Sequence, residues 1–442
     1  MHNDQNKKPR ARIAWLSPDE GAVKTAAPQF AEADYLLFDG SGAGPADLAV
    51  IDFRARLSTQ AAQRLAAATR RKAPECSLLY LGSSRLTAAE RAYLRRSGEL
   101  VLVEDDLKPA IEACRQRLRL RNIAEETGER LKTIAASTRL SEFPPIEAPT
   151  SGAVVLVAGA AGPSALAALS IAEKISADRA GVFSAGQVIR ALETDAFDCA
   201  VFLAKADGDP LIGLARSMRR HRKFCDLPVI LVGADERARA RMARNWGAET
   251  LCADHLSDDL PGRIIAATRR ARLIAAMRRF LSACAGEGVR DRLSGAFTPQ
   301  FFHQHAERLF ARAEHTGRPI SLVGLRLLSL APEGAEGGAR LLTEAARLVN
   351  RVTRAEDCVG RLTGDTFVAL MSATTPQDAT RAARRIEGTI ANTMFRARGS
   401  QKLFAVAAAT AAVERLSGVC VEEAIAAVLL KLNSATPRTA ER

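Results

Sequence analysis

Arg354, Asp357 and Arg385 are the residues whose types and spacing promise chemistry in this chain. Arg354 and Asp357 stand thirteen and ten residues before Phe367, and Arg385 follows Phe367 by eighteen. Arginine presents a planar fork of donors that grips phosphate or carboxylate through paired bonds, and a carboxylate beside it accepts hydrogen bonds. The plainer alternative is a surface ion pair at i, i+3, worth roughly 0–1 kcal/mol. A second group, Thr363-Gly364-Asp365-Thr366-Phe367, carries a lone carboxylate, too little for a two-metal site. A third candidate is Asp52, which ends the apolar run Leu48-Ala49-Val50-Ile51.

These residues need elements to hold them. The chain has 442 residues, 47% of them hydrophobic, which is enough for about three domains of ordinary size. Short apolar runs alternate with helical stretches at Ile13–Leu16, Tyr35–Phe38, Leu48–Phe53, Leu78–Leu81 and Leu100–Val103. That alternation predicts a parallel sheet with helices on both faces. A long helix is expected over Lys108–Arg139, closed by Phe143-Pro144-Pro145. The plan repeats with strands Ala153–Ala158, Cys199–Leu203, Leu227–Val232 and Thr250–Cys252, which suggests duplication. A basic helical stretch, Arg263–Leu281, leads to a third module. The expected domains are 1–140, 151–285 and 286–442.

Composition narrows the function classes. No apolar run approaches the roughly 20 residues that span a bilayer, and the polar, basic stretch Met1–Arg12 has no apolar signal core behind it. A cytoplasmic protein without membrane insertion is the expectation. The eight cysteines are scattered without a C-x-x-C pair, and read as reduced thiols rather than a zinc site. The net charge of +13 permits phosphate-bearing partners. The arginines are dispersed and aromatics make up 5%, so a basic helical surface explains the charge without nucleic-acid binding.

Both N-terminal modules resemble response-regulator receiver domains. Phe197–Leu203 fits the third strand of that fold and Leu227–Gly233 the fourth. The resemblance makes Asp52 a possible phosphoacceptor. It also implies a Mg²⁺ held by acids after strand one, a hydroxyl after strand four and a lysine after strand five. Here Asp19 and Glu20 come late, Gly82 stands at the hydroxyl position beside Ser83, and Asp105 is near the lysine position. In the second module Leu203 occupies the acceptor position and Ala158-Gly159-Ala160-Ala161 offers no acid. That module is better read as an interaction or dimerisation surface.

The third module resembles the GGDEF domain of diguanylate cyclases, an adenylate-cyclase-like α/β palm. It opens with Asp291-Arg-Leu-Ser294-Gly295, close to the family's Asp-x-Leu-Thr-Gly. The family's hairpin tip is Gly-Gly-Asp/Glu-Glu-Phe; here it is Thr363-Gly364-Asp365-Thr366-Phe367. Arg326 and Leu328 stand where the family pattern has aspartates, the first of which holds Mg²⁺. Ser329–Gly334 lacks the family's guanine-gripping Asn and Asp, and the C-terminal Lys-x-x-Gly-Arg-Asn signature has no clear match. By contrast, Arg354, Asp357 and Arg385 match the family's inhibitory site for the product, cyclic di-GMP. Arginine forks suit a phosphate or the Hoogsteen edge of guanine, and the carboxylate suits its N1–H and amino group.

The order receiver–receiver–GGDEF resembles the PleD group of response regulators, and the substituted tip resembles its degenerate members. The resemblance implies a non-enzymatic cyclic di-GMP effector without a catalytic metal, which takes the ligand as an intercalated dimer. It further implies a homodimer formed through the receiver-like domains, placement at the cell pole, and a role in bringing a cell-cycle regulator to the ClpXP protease. A weakly active diguanylate cyclase is the alternative.

Overall fold

The computed structural model describes residues 9–19, 21–39, 46–54, 59–72, 77–83, 86–87, 89–90, 94, 99–103, 107–137, 152–175, 177–204, 208–218, 224, 227–233, 249–251, 253, 256–283, 288–329, 338–396 and 403–437. The expected boundary at Phe143-Pro144-Pro145, along with Glu20, Asp105 and Cys252, lies outside them. Backbone contacts divide the chain into two compact units. One joins Ala11–Arg121 to Ile146–Leu273; the other joins Met1–Arg10, Asn122–Pro145 and Ile274–Arg442.

The first unit holds two five-stranded parallel sheets. β1 (Ala11–Leu16), β2 (Tyr35–Asp39), β3 (Leu48–Asp52), β4 (Ser77–Gly82) and β5 (Glu99–Leu102) lie in the order β2-β1-β3-β4-β5. β6 (Val154–Gly159), β7 (Asp178–Val182), β8 (Cys199–Leu203), β9 (Val229–Val232) and β10 (Glu249–Leu251) repeat the order as β7-β6-β8-β9-β10. This is the flavodoxin-like doubly wound order. The central strands are apolar on both faces, as a sheet covered on both sides requires. The sequence reading omitted β7. Its residues Asp-Arg-Ala-Gly-Val are largely exposed on a sheet edge, so no apolar run marks it. Strand order is shared by proteins of unrelated function, so receiver chemistry is judged at its residues below.

The second unit carries one sheet, in the order β12-β13-β11-β15-β14, with every pairing antiparallel. Its strands are β11 (Ile320–Ser329), β12 (Cys358–Arg361), β13 (Thr366–Ser372), β14 (Met394–Arg396) and β15 (Leu403–Glu414). Val323, Leu325 and Leu327 of β11 pack with Phe367, Ala369 and Met371 of β13 against helices Gly338–Val352 and Pro376–Ala391. Each helix start is written locally. Thr298 caps helix Pro299–Thr316 through Phe301 N–H, and Thr375 caps Pro376–Ala391 through Asp378 N–H, each with proline at the first turn. Gly360 of β12 is a close approach: a Cβ there would fall 2.5 Å from the ring of Phe302.

The helix Lys108–Ser137 ends close to the expected residue. Its Ala110, Ala113, Cys114 and Leu118 pack into the core of the first sheet, while Asn122–Ser137 belong to the second unit. Helix Leu256–Ala283 contains the expected basic stretch but begins earlier, with Pro261 inside its first turns. Among the described residues no helix is long and apolar enough to cross a membrane. Cys114, Cys199 and Cys358 are buried, whereas Cys420 is exposed.

Candidate functional site

Arg354 and Asp357 occupy the turn between helix Gly338–Val352 and β12. The turn is closed on itself. Arg354 N–H donates to Asp357 Oδ2 at 2.8 Å, and Asp357 N–H donates to the Arg354 carbonyl at 3.1 Å. Before it, Thr353 ends the helix, its hydroxyl and N–H both bonded to the Val349 carbonyl. Arg354 is exposed, while Asp357 is only 6% exposed. Asp357 Oδ1 is buried without a hydrogen-bond partner among the described residues. Burial pushes the Asp357 carboxyl up to about 6, and Glu356 adds to the rise; Arg354 and Arg385 oppose it.

Arg385 comes to this place from helix Pro376–Ala391. It is exposed, and its Nη2 donates to the Val352 carbonyl at 3.3 Å, at the end of the helix that enters the turn. The fold therefore brings Arg385, distant in sequence, to the Arg354–Asp357 turn, whose carboxylate has one oxygen without a partner among the described residues. Two cationic forks beside an acceptor can take a ligand that carries both anionic oxygens and N–H donors.

The turn is also held from behind, by a residue sequence reasoning missed. Arg130 of helix Lys108–Ser137 donates through Nη1 to the Ala355 carbonyl and through Nη2 to the Asp357 carbonyl, each at 2.9 Å. No motif or charge pattern in the sequence singles it out among the basic residues of that helix.

At the hairpin tip between β12 and β13, Asp365 Oδ1 accepts from Thr363 Oγ1 at 3.2 Å and Thr366 Oγ1 at 2.9 Å. Gly364 is exposed, and Phe367 is buried in the sheet core. Arg361, another residue sequence reasoning missed, ties the tip down. It donates to the carbonyls of Thr363 and Gly364 at 3.2 and 2.8 Å, and to Asp291 Oδ1 at 2.8 Å. Burial alone would raise the Asp291 carboxyl. Bonds from Ser294 and Arg361 outweigh it and hold the group below its ordinary value. Arg326 pairs in register with Thr366 and donates to Asn433 Oδ1 at 2.7 Å. Leu328 is half-buried on the same strand. Among the described residues no group of three or more His, Cys, Asp or Glu is placed to hold a metal ion.

Asp52 ends β3 and is 2% exposed. Its carboxylate is engaged by one neighbour. Arg54 donates its N–H and Nε to Oδ1 at 3.0 Å each, and Nη2 to Oδ2 at 2.8 Å. Asp19 caps its own loop through Gly21 N–H at 2.9 Å. Leu203 ends β8, with its Cβ where a Cβ on Gly159 would fall within 2.6 Å.

Residues 289–425 match the family model described as diguanylate cyclase, GGDEF domain. Solved structures similar to the chain include the GGDEF domain of DgcB from Caulobacter crescentus in complex with c-di-GMP, at 18% identity, covering 33% of this chain and 86% of that one, with a TM-score of 0.31. The diguanylate cyclase SiaD of Pseudomonas aeruginosa, in complex with its activator SiaC, is 22% identical, covers 44% and 75%, and has a TM-score of 0.31. The FimX GGDEF domain of Pseudomonas aeruginosa is 17% identical, covers 33% and 93%, and has a TM-score of 0.30. The search of curated proteins gave no match.

Proposed function

We propose that the C-terminal GGDEF domain binds cyclic di-GMP at Arg354, Asp357 and Arg385 and does not synthesise it. The observation that carries this reading is Asp357: a buried carboxylate oxygen without a partner, flanked by two exposed arginines. An uncompensated buried acceptor costs about 1–3 kcal/mol, more when charged. A guanine N1–H and amino group would satisfy it, while the arginines meet the Hoogsteen edge or a phosphate. An intercalated ligand dimer would use both exposed forks.

The catalytic side supports the same reading. A synthase of this family must hold Mg²⁺ against the phosphates of GTP, and Arg326 puts a cation at that position, fixed on Asn433. Asp365 is hydrogen-bonded by the two threonines that replace a glycine and an acid of the family tip. Arg361 occupies the tip carbonyls a nucleotide would approach. The retention of Asp365 is the observation that favours the alternative, a weakly active cyclase. Incubation with GTP and Mg²⁺ or Mn²⁺ should give no cyclic di-GMP above a no-protein blank; product that disappears in Asp365→Ala would establish the alternative.

The finer reading follows from the order of the modules. The two doubly wound domains would serve as receiver-like domains that dimerise the chain, with Asp52 neutralised by Arg54 rather than phosphorylated. The chain would then act as a cyclic di-GMP-dependent adaptor at the cell pole, delivering a cell-cycle regulator to a protease. Loss of polar placement in Arg354→Ala cells would support it; unchanged placement would count against it.

A further inference from the structure

Arg130 is 3% exposed, yet every nitrogen of its guanidinium has a partner. Nη1 and Nη2 hold the Ala355 and Asp357 carbonyls, and Nε donates to Glu126 Oε1 at 2.8 Å. The guanidinium carbon stands 5.4 Å from the centroid of the Phe297 ring. Glu126 Oε1 also meets His305 Nε2 at 2.7 Å, and His305 Nδ1 meets Thr133 Oγ1 at 3.1 Å. Burial would raise the Glu126 carboxyl, but His305 and Arg130 hold it below its ordinary value. The fork is thus locked by a buried network before it reaches the turn.

The ligand reading leaves this network without a role. Its chemistry supplies one. Two charge-assisted bonds to the carbonyls of residues 355 and 357 fix the peptide planes that follow Ala355 and Asp357. Those planes set where Asp357 aims its free oxygen and where Arg354 leaves the surface. A turn fixed in advance does not have to be ordered by the ligand, so affinity is gained without a new ligand contact.

We propose that Arg130 is a positioning residue for cyclic di-GMP recognition: it holds the Arg354–Asp357 turn in its binding geometry and couples that turn to helix Lys108–Ser137. The inference rests on the binding reading given above. Coupling of this kind is reciprocal, so ligand binding must in turn stabilise the helix segment around Arg130.

The test is calorimetric titration of the full chain with cyclic di-GMP for wild type, Arg130→Met, Arg130→Lys, Arg354→Ala and Arg318→Met. Arg318 bonds Glu125 of the same helix at 2.7 Å, so its variant reports the cost of loosening that helix without touching the turn. Wild type should bind and Arg354→Ala should lose most of its affinity. Arg130→Met should raise Kd at least tenfold. Arg130→Lys, which keeps the charge but not the fork, should raise it several-fold. Arg318→Met should stay within twofold of wild type. In ligand-free Arg130→Lys, amide exchange at residues 353–358 should quicken while that of β13 stays unchanged. Arg130→Lys carries the test if Arg130→Met fails to fold. Arg130 variants that bind like wild type, while Arg354→Ala does not, would overturn this inference alone. So would an Arg318→Met loss equal to that of Arg130→Met. A wild type that does not bind would overturn the binding reading and the inference with it.

Discussion

The carboxyl of Asp357 decides most at the scale of single residues. Its folded pKa of about 6 stands above the ordinary value of about 3.9. A raised folded value means the native state holds the proton more tightly. The corresponding stability is fully present below about pH 4 and is lost as pH rises through about 6. Ligand-free wild type should therefore lose, between pH 4 and 6.5, on the order of 2 kcal/mol relative to Asp357→Asn in urea unfolding. Parallel pH profiles for the two proteins would contradict the burial of an unpaired charge. The same carboxyl predicts how binding titrates. The ionised form accepts guanine N–H donors more strongly and through both oxygens, so the affinity of wild type for cyclic di-GMP should weaken as pH falls below about 6, and that of Asp357→Asn should not. Asp52 gives the opposite case. Because Arg54 already bonds both of its oxygens, beryllofluoride with Mg²⁺ should leave the melting temperature of the chain unchanged. Asp52→Asn should cost about 1 kcal/mol through the weakened pair. A clear beryllofluoride-induced rise in melting temperature would show that the acceptor is open.

What could be read from the sequence also differs by residue. Arg354, Asp357 and Arg385 were legible because a recognisable spacing connects them to Phe367, and the fold does bring them around one carboxylate. Arg130 and Arg361 were not. Each acts by holding backbone carbonyls, and a carbonyl leaves no mark in the amino-acid string. Arg54 was equally silent, since its role depends on its own side chain turning back two residues onto Asp52.

At the scale of elements, apolar periodicity found the central strands and missed β7, whose edge position allows Asp178 and Arg179. Helix ends were legible where capping threonines precede prolines, at Thr298 and Thr375. The fit of helix Pro299–Thr316 on β12 was not, because it depends on the absence of a side chain. Gly360 faces Phe302, and an added methyl has no room. Gly360→Ala should destabilise the protein by about 1–3 kcal/mol through overpacking. If Gly360→Ala unfolds at the wild-type urea midpoint, the strand and helix do not meet as described. Because β12 follows directly from Asp357, this packing also anchors the far end of the ligand turn.

At the scale of the whole molecule, part of the positive charge behind the net +13 serves pairs and backbone caps. Arg130, Arg361, Arg385 and Arg318 each serve a carbonyl or a carboxylate. On the proposed function the GGDEF domain reads the nucleotide. A ligand that binds only the folded state stabilises it by about 2.7 kcal/mol at a hundred times Kd. That shift should appear in wild type and be absent in Arg354→Ala, whose ligand-free melting temperature should differ by only a degree or two because the side chain is exposed. The most direct test is calorimetric titration of wild type and Arg354→Ala with cyclic di-GMP. The account expects low-micromolar or tighter binding by wild type and a Kd on the order of 30- to 150-fold weaker in the variant, the equivalent of about 2–3 kcal/mol. Equal heats and equal affinities in the two proteins would place any binding elsewhere and contradict the account at its centre.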